Sequence, residues 1–195
     1  MKPDLPIRCR CGSLRGVVHG VSRNAGNRLV CYCDDCQAYA RALGRADDVL
    51  DAHGGTEVYQ ISPARLEITD GLEALACMRL TPRGPLRWYA RCCRTPLGNT
   101  LSTRQIPYVG LLRACIDASG SSLDEVLGPV KSGVWARYAT GDRSAINAYD
   151  GVPLSVLFQI AARVVCWRLR GDHRRSPFFD EAGVPIVSPG SAGLR

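Results

Sequence analysis

The stretch LVCYCDDCQ, residues 29–37, places three cysteines within six residues. Two further stretches each hold a close cysteine pair, IRCRCGS at residues 7–13 and YARCCRTPLG at residues 89–98. Because close cysteine pairs are typical of metal sites, these clusters set the first question about the fold. They contain seven of the ten cysteines of the chain: Cys9, Cys11, Cys31, Cys33, Cys36, Cys92 and Cys93.

The spacing of these cysteines predicts a thiolate metal site. C-x-C and C-x-x-C pairs let one turn present two sulfurs to one ion, and zinc prefers thiolate ligands in a tetrahedral arrangement. A helix that starts near Cys33 and Cys36 would favour their thiolate forms, because its N-terminal N–H groups carry partial positive charge. We therefore predict zinc, or a similar soft metal, as the cofactor.

Two allocations of these ligands are open. In the first, Cys9, Cys11, Cys92 and Cys93 form a closed structural site, and the triple at residues 31–36 forms a site with one open position. In the second, ligands from different clusters mix. The single-turn spacing of the triple favours the first allocation.

The isolated cysteines stand in apolar contexts and are predicted to pack in the core as small hydrophobes: Cys77, Cys115 and Cys166.

Composition excludes several classes of protein. The chain has 195 residues and 46% hydrophobic residues, which is enough to bury a core. Its net charge of +7 comes from scattered arginines rather than from a basic stripe with aromatics, so we do not expect nucleic acid as a partner. The N-terminus has no apolar signal segment, and the most apolar window, residues 152–169, is too polar for a membrane span. We expect a cytoplasmic protein without a disulfide framework.

The distribution of turn and strand signals along the sequence predicts that the chain has two parts, a β domain and a C-terminal extension. Short runs rich in Val, Ile, Tyr and Trp, separated by Gly, Pro and Asn, predict a mainly β domain of small antiparallel sheets over residues 1–102. A helix is expected from Asp34 to about Leu43. Residues 103–195 are predicted to be an extension with two helices and an extended tail.

The longer helix of the extension is predicted over residues 152–170, with Pro153 in its first turn and Gly171 at its end. It is apolar around most of its circumference, so we expect most of it to be buried on the β domain. Pairing of two copies of the chain through this helix, giving a homodimer, is the alternative.

The order of three motifs resembles a known family. CRCG at residues 9–12, CYCDDC at residues 31–36 and YARCCRTPLG at residues 89–98 are similar to the motifs of the glutathione-dependent formaldehyde-activating enzymes (GFA), a family that includes the centromere protein V domain. The resemblance covers about residues 8–102. It implies a β-rich fold pinned by two zincs, one structural and one catalytic. The family reaction forms a carbon–sulfur bond between formaldehyde and glutathione.

Carried over by motif, the resemblance implies that the middle triple holds the catalytic zinc and that the first pair and the late pair hold the structural one. Two departures from the family pattern are visible. The third motif of the family is usually C-x-x-C-G, and here Ala90 stands on its first cysteine and Arg94 on its glycine, so Cys92 has to substitute as a ligand or the structural site has only three cysteines. Tyr32 stands where the family often has a histidine.

These observations support three hypotheses. The first is a carbon–sulfur lyase that acts on a thiol adduct, such as a glutathione adduct, at an open zinc site formed by Cys31, Cys33 and Cys36. His53, Asp34 or Asp35 could move a proton, and arginines could attract a carboxylate: Arg41, Arg45 and Arg91. The second hypothesis is a non-catalytic zinc-stabilised module that binds protein or nucleic acid. The third is a thiol-redox or metal-handling role.

Overall fold

The computed structural model describes residues 3–118 and 122–191, and it is mainly β with few helices. The strands, numbered along the chain, are β1 Leu5–Arg8, β2 Arg15–Val18, β3 Asn27–Cys31, β4 Thr56–Ile61, β5 Leu66–Asp70, β6 Leu75–Arg79, β7 Leu86–Ala90, β8 Thr95–Thr100, β9 Val109–Leu112, β10 Gly133–Val134, β11 Ala148–Tyr149 and β12 Gly190–Ser191. The α-helices are α1 Asp34–Ala42, α2 Ala46–Val49, α3 Leu123–Leu127 and α4 Leu154–Leu169.

The smaller sheet contains three antiparallel strands in the order β1-β2-β5. The register between β2 and β5 shifts at Arg15 and Gly16, which marks a β-bulge. Gly16 is required there, because a Cβ atom would lie 2.3 Å from the carbonyl oxygen of Glu67. Strand β2 pairs with β1 on one side and β5 on the other, and the turn that carries Cys9 and Cys11 joins β1 to β2.

The larger sheet contains nine strands in the order β11-β10-β3-β4-β9-β8-β7-β6-β12. Its central strands are antiparallel, but β10 is parallel to β3 and β11, and β12 is parallel to β6. The prediction of small antiparallel sheets is therefore correct for the three-stranded sheet and wrong for this one. The reason is that two-residue strands from the second half of the chain add to both edges. Strands on both sides of the predicted boundary at residue 102 share this sheet, and the division into two parts stays a prediction.

The main core lies on one face of β7, where alternate residues are completely buried. Leu86, Trp88 and Ala90 point to that face, as the two-residue period of a strand requires. The segment after residue 175 joins this core, because Phe178 stacks on Trp88 with ring centroids 4.6 Å apart. The predicted tail is therefore anchored by packing rather than being a free arm. Its aromatic pair, Phe178 and Phe179, was the sequence signal for this anchoring.

Helix α4 begins after Pro153 and ends at Leu169, and Gly171 follows it in a left-handed conformation. The expectation that it would be mostly buried is wrong, because Trp167 is its only buried residue. Cys166, predicted to pack in the core, is exposed on the same helix. One face packs on the protein, and the opposite face is apolar and open to solvent. None of the helices in the described residues has the length and apolarity that crossing a membrane requires.

Replacing Phe178 should test the anchoring of the C-terminal segment. Phe178→Ala removes a ring that is 1% exposed and leaves a cavity against Trp88, so the free energy of unfolding should fall by about 3–5 kcal/mol. Urea unfolding monitored by tryptophan fluorescence measures this change. Val184→Ala, at a side chain 56% exposed in the same segment, is the matched control and should change stability by less than about 0.5 kcal/mol. Equal effects of the two variants would contradict the anchoring.

A second stability test concerns Arg94, the last residue before β8, which has a φ of 56°. This left-handed conformation is the one that glycine adopts without strain, so a residue with a side chain is strained there. Arg94→Gly should raise the free energy of unfolding by about 1 kcal/mol, and Arg94→Val should lower it by a similar amount. Thermal unfolding of the wild type and both variants measures this order of stability.

Arg83→Gly is the control for this order, since Arg83 is also an exposed turn residue but has no positive φ. The free energy of unfolding of Arg83→Gly should fall by about 0.5–1 kcal/mol, because glycine gains more conformational freedom in the unfolded chain. If Arg94→Gly destabilises the protein as much as Arg83→Gly does, the strain at Arg94 is refuted.

Candidate metal centres

Two hairpin turns bring four cysteines together. Cys9 and Cys11 lie in the turn between β1 and β2, in the smaller sheet, and Cys92 and Cys93 lie in the turn between β7 and β8, in the larger sheet. The four Sγ atoms all lie within 4.8 Å of one another. The structure thus brings together the four cysteines that the first allocation assigned to a closed site. Both Cys92 and Cys93 belong to this group.

The distances within this cluster fit a tetrahedral metal. Zinc–sulfur bonds of about 2.3 Å place the sulfurs of a tetrahedron about 3.8 Å apart. The observed Sγ–Sγ distances are 3.3 Å for Cys11–Cys92, 3.5 Å for Cys9–Cys11, 3.7 Å for Cys9–Cys92 and 3.8 Å for Cys92–Cys93. All four residues are free cysteines, so four thiolates are available as ligands.

Hydrogen bonds hold the sulfurs in place from both sheets. The Leu14 amide donates to Cys9 Sγ over 3.3 Å. Thr95 connects the two turns, because its Oγ1 accepts from the Arg10 amide over 3.0 Å and lies 3.1 Å from Cys93 Sγ. N–H donors near sulfur favour the thiolate that a metal needs. The cluster is therefore supported by a second layer of polar contacts in addition to its four ligands.

The second cluster forms where β3 ends and α1 begins. Cys31 is the last residue of β3, Cys33 is the N-cap of α1, and Cys36 lies in the first turn of that helix. The Cys31 and Cys33 sulfurs are 3.4 Å apart, and all three sulfurs lie within 4.8 Å of one another. Among the described residues, no fourth Cys, His, Asp or Glu donor joins this group. It can supply three ligands, so a metal held here keeps one position for another molecule.

The three thiols differ in acidity. Hydrogen bonds to Cys33 and Cys36 and burial raise the pKa of Cys31 well above its usual range. Hydrogen bonds from Cys31 and Cys33 lower the pKa of Cys36 well below its usual range, and the Arg87 guanidinium lowers it further. Cys36 is therefore the thiol of this cluster that ionises first, and it is the one beside a cation.

Arg87 is a functional candidate that the sequence reasoning missed. It lies on β7 with its side chain 4% exposed, its Nη1 is 3.7 Å from Cys36 Sγ, and its Nη2 is 3.6 Å from the Asp35 carboxylate. Its guanidinium also lies over the ring of Tyr39, and its Nε has no hydrogen-bond partner among the described residues. A buried cation is costly unless negative charge lies near it. The sequence signal was an arginine within the otherwise apolar strand LRWYA, residues 86–90.

A cavity of about 200 Å³ opens against this cluster. Cys31, Cys36 and Arg87 form one side of it. Apolar side chains from β3, β4, β10 and α4 form most of the remaining wall, among them Leu29, Val58, Val134, Val156 and Ile160. Trp135 also lines the cavity and has a φ of 65°, which is rare for a bulky residue and is often found at functional sites.

Three polar side chains also reach the cavity: Gln60, Asn99 and Tyr108. Gln60 is fixed at both ends, since its Oε1 accepts from Asn27 over 3.0 Å and its Nε2 donates to the Tyr108 hydroxyl over 3.1 Å. Burial raises the pKa of Tyr108 to about 12, so its hydroxyl keeps its proton at neutral pH. That O–H can therefore donate to a molecule in the cavity. Sequence reasoning missed these residues because no motif marks them.

The structure places His53 apart from the three sulfurs. Its Nδ1 lies 3.0 Å from the Thr140 carbonyl oxygen, and none of the described histidines belongs to the cysteine group. Tyr32 is buried but does not line the cavity. Neither residue contributes a cavity wall.

The arginines expected to attract a carboxylate have partners elsewhere. Arg41 donates to Gln37, Arg45 pairs with Asp48, and Arg91 donates to the Leu75 carbonyl oxygen. None of the three lines the cavity. Asp34, the other proposed proton carrier beside Asp35, is exposed at the start of α1.

The isolated cysteines divide into two kinds. Cys77 and Cys115 are buried in the main hydrophobic core, which confirms the prediction for both. Cys166 lies on the open face of α4 and belongs to neither cluster.

Comparison with known proteins gives a family but no activity. No curated protein matches the sequence. A crystal structure of a Rhodobacter sphaeroides protein is similar over 64% of this chain and 96% of that chain, with 18% sequence identity and a TM-score of 0.43. Residues 1–188 match DUF6151, which is described as a family of unknown function. The chain therefore belongs to the DUF6151 family.

Proposed function

We propose that this protein is a zinc-dependent carbon–sulfur lyase of the GFA type, acting on the adduct of a thiol and an aldehyde. The observation that carries the proposal is the three-cysteine cluster, which lacks a fourth protein ligand among the described residues and lines a cavity. The order of the motifs CRCG, CYCDDC and YARCCRTPLG, which resembles that of the GFA family, supports a fold of that type. Ten free cysteines suit a reducing compartment, so we place the protein in the cytoplasm.

The four-cysteine cluster has a structural role in this proposal. Its ligands come in pairs from two turns that belong to different sheets, so a zinc bound there would link the sheets. Four protein thiolates leave no position for a substrate, as in other closed structural zinc sites.

The three-cysteine cluster has the catalytic role. A zinc ion held by three thiolates would act as a Lewis acid with one position open to a substrate sulfur. The proposed reaction is the reversible cleavage of a hydroxymethyl thioether, R–S–CH2–OH, into R–SH and formaldehyde. The carbon–sulfur bond breaks with its electron pair on sulfur, and the hydroxyl proton is transferred to that sulfur. The step needs no oxidant or reductant.

Residues of the cavity would stabilise this reaction electrostatically. Three thiolates around a divalent ion leave one excess negative charge, and a substrate thiolate adds another. Arg87 lies beside Cys36 and offsets part of this charge in a buried site, where electrostatic interactions are stronger than in water. The Tyr108 hydroxyl, oriented by Gln60, can donate a hydrogen bond to the oxygen of the adduct.

The metal content of cysteine variants is the first test. The protein should bind two zinc ions per chain, Cys36→Ser should bind one and stay folded, and Cys9→Ser should bind one and lose stability because the link between the sheets is lost. Atomic absorption measures the zinc, and circular dichroism measures the fold. Cys166→Ser, at an exposed cysteine outside both clusters, should keep two zincs.

A wild-type protein with one zinc, or a Cys36→Ser variant that unfolds, would contradict the division into a structural and an open site.

The response of the open site to thiols is the second test. In cobalt-substituted protein, an added thiol should change the visible absorption spectrum, because a fourth sulfur enters the coordination sphere of one ion. Arg87→Met should raise the apparent Kd for the thiol at least tenfold, since a cation beside the thiolates is lost. Arg91→Met, at an exposed arginine outside the cavity, is the matched control and should leave the Kd unchanged.

Turnover is followed in the same samples as the release of formaldehyde from a hydroxymethyl thioether. A cobalt spectrum that no thiol changes would refute an open site.

A further inference from the structure

The cavity beside the three cysteines is small. Its volume is about 200 Å³, and pockets for drug-sized ligands run from roughly 300 to 1,000 Å³. A tripeptide such as glutathione could place only its thiol arm inside. The remaining parts of that molecule, including both carboxylates, would lie outside the walls and would need partners there.

The walls of the cavity do not provide such partners. Arg137 lies beside the lining residue Trp135, but its guanidinium stacks on the Trp135 and Tyr138 rings, 4.8 Å and 5.0 Å from their centroids. Arg87 is the only Lys or Arg among the cavity's lining residues in the described chain, and it already contacts Cys36 and Asp35. The basic side chains that were expected to bind a carboxylate are paired elsewhere. Binding a carboxylate without a cation would leave its charge uncompensated.

The walls suit an apolar group. Leu29, Val58, Val134 and Trp135 line one part of the cavity, and Val156 and Ile160 of α4 line another. The polar groups Gln60, Asn99 and Tyr108 are few, which is enough to bind one hydroxyl or carbonyl oxygen.

We infer that the substrate thiol is a small, uncharged alkyl or aryl monothiol, bound as its aldehyde adduct, and not glutathione. This inference rests on the proposed function, because it assumes that the open site binds a thiol. The apolar group would fill the part of the cavity between β10 and α4, and the adduct oxygen would face Tyr108.

Thiol binding to cobalt-substituted protein tests the substrate class. Benzyl mercaptan, mercaptoacetate and glutathione separate the effects of apolar surface, charge and size. Benzyl mercaptan should have an apparent Kd at least tenfold lower than the Kd of either anionic thiol. Glutathione binding as tightly as benzyl mercaptan would overturn the inference and leave the proposed function standing, whereas no response to any thiol would overturn both.

A wall variant gives a second readout. Ile160→Lys puts a cation into the cavity wall and should weaken benzyl mercaptan binding at least tenfold while strengthening glutathione binding. Gln159→Lys adds the same charge to an exposed neighbouring position and should change neither Kd. If Ile160→Lys behaves like Gln159→Lys, the apolar wall does not select the thiol.

A separate observation concerns the open face of α4. A continuous stripe of exposed apolar side chains runs along it, with exposed fractions of 82% for Leu154, 76% for Phe158, 57% for Val165 and 84% for Leu169. Ala161 and Ala162, also exposed, lie at its centre. These positions recur every three or four residues and so lie on one side of the helix.

The stripe is self-complementary in an antiparallel arrangement. If two copies of α4 cross at Ala161 and Ala162, the small residues allow a close approach, Phe158 faces Val165, and Leu154 faces Leu169. In the same register Arg168 faces Ser155 rather than another arginine, and the sequence of α4 contains no acidic residue, so like charges do not oppose each other. A two-fold axis requires this kind of self-matching surface.

We also infer that a second copy of this chain covers the open face of α4, forming an antiparallel helix pair. Sedimentation equilibrium over a concentration series should show a dimer for the wild type. Leu154→Lys and Leu169→Glu should each dissociate it, and the double variant should restore it, because the antiparallel register places position 154 of one copy beside position 169 of the other, so the introduced lysine and glutamate pair. Gln159→Glu, outside the stripe, should remain dimeric.

A monomeric wild type would overturn the dimer. Dissociation by the single variants without restoration by the double variant would overturn the antiparallel register.

Discussion

Four cysteine sulfur atoms meet where a hairpin turn of the smaller sheet faces a hairpin turn of the larger sheet. The smaller sheet contributes Cys9 and Cys11, and the larger sheet contributes Cys92 and Cys93. Hairpin turns at the surface bury little apolar area, so packing alone would hold the two turns together weakly. A metal bound by both pairs would add binding free energy that is also folding free energy. The turn between β7 and β8, which carries Cys92 and Cys93, ends at the left-handed residue Arg94.

The second cluster differs from the first in what surrounds it. Its three sulfurs meet a buried arginine on one side and an apolar cavity on the other. A structure that served stability alone would gain by closing this site with a fourth ligand or by filling the cavity with side chains. Keeping a buried cation, an open ligand position and a cavity together is typical of a site that binds another molecule.

The cysteine clusters were predictable from the sequence because cysteines two or three residues apart can place their sulfur atoms close together within one turn. The mainly β character and helix α1 followed from turn residues and from the aspartates after Cys33. The spacing of the triple favoured the correct allocation of ligands between the sites but did not decide it, since the allocation depends on which hairpins face each other across about 80 residues of chain. Arg87 was missed because strand periodicity assigns a residue to one side of a sheet but does not identify what lies there.

The C-terminal half was predicted less well for a related reason. An apolar helix looks the same in sequence whether the core or another molecule covers it, so the exposure of α4 could not be read from its composition. The tail was judged by its prolines and glycines, and the packing of Phe178 on Trp88 outweighed them.

The coordination of the bound metal tests the central claim most directly. X-ray absorption at the zinc edge should show two zincs per chain with an average of about 3.5 sulfur ligands each, rising to about four when a small thiol is added. An average of four sulfurs that does not change with thiol would contradict the account, because it would mean that both sites are closed.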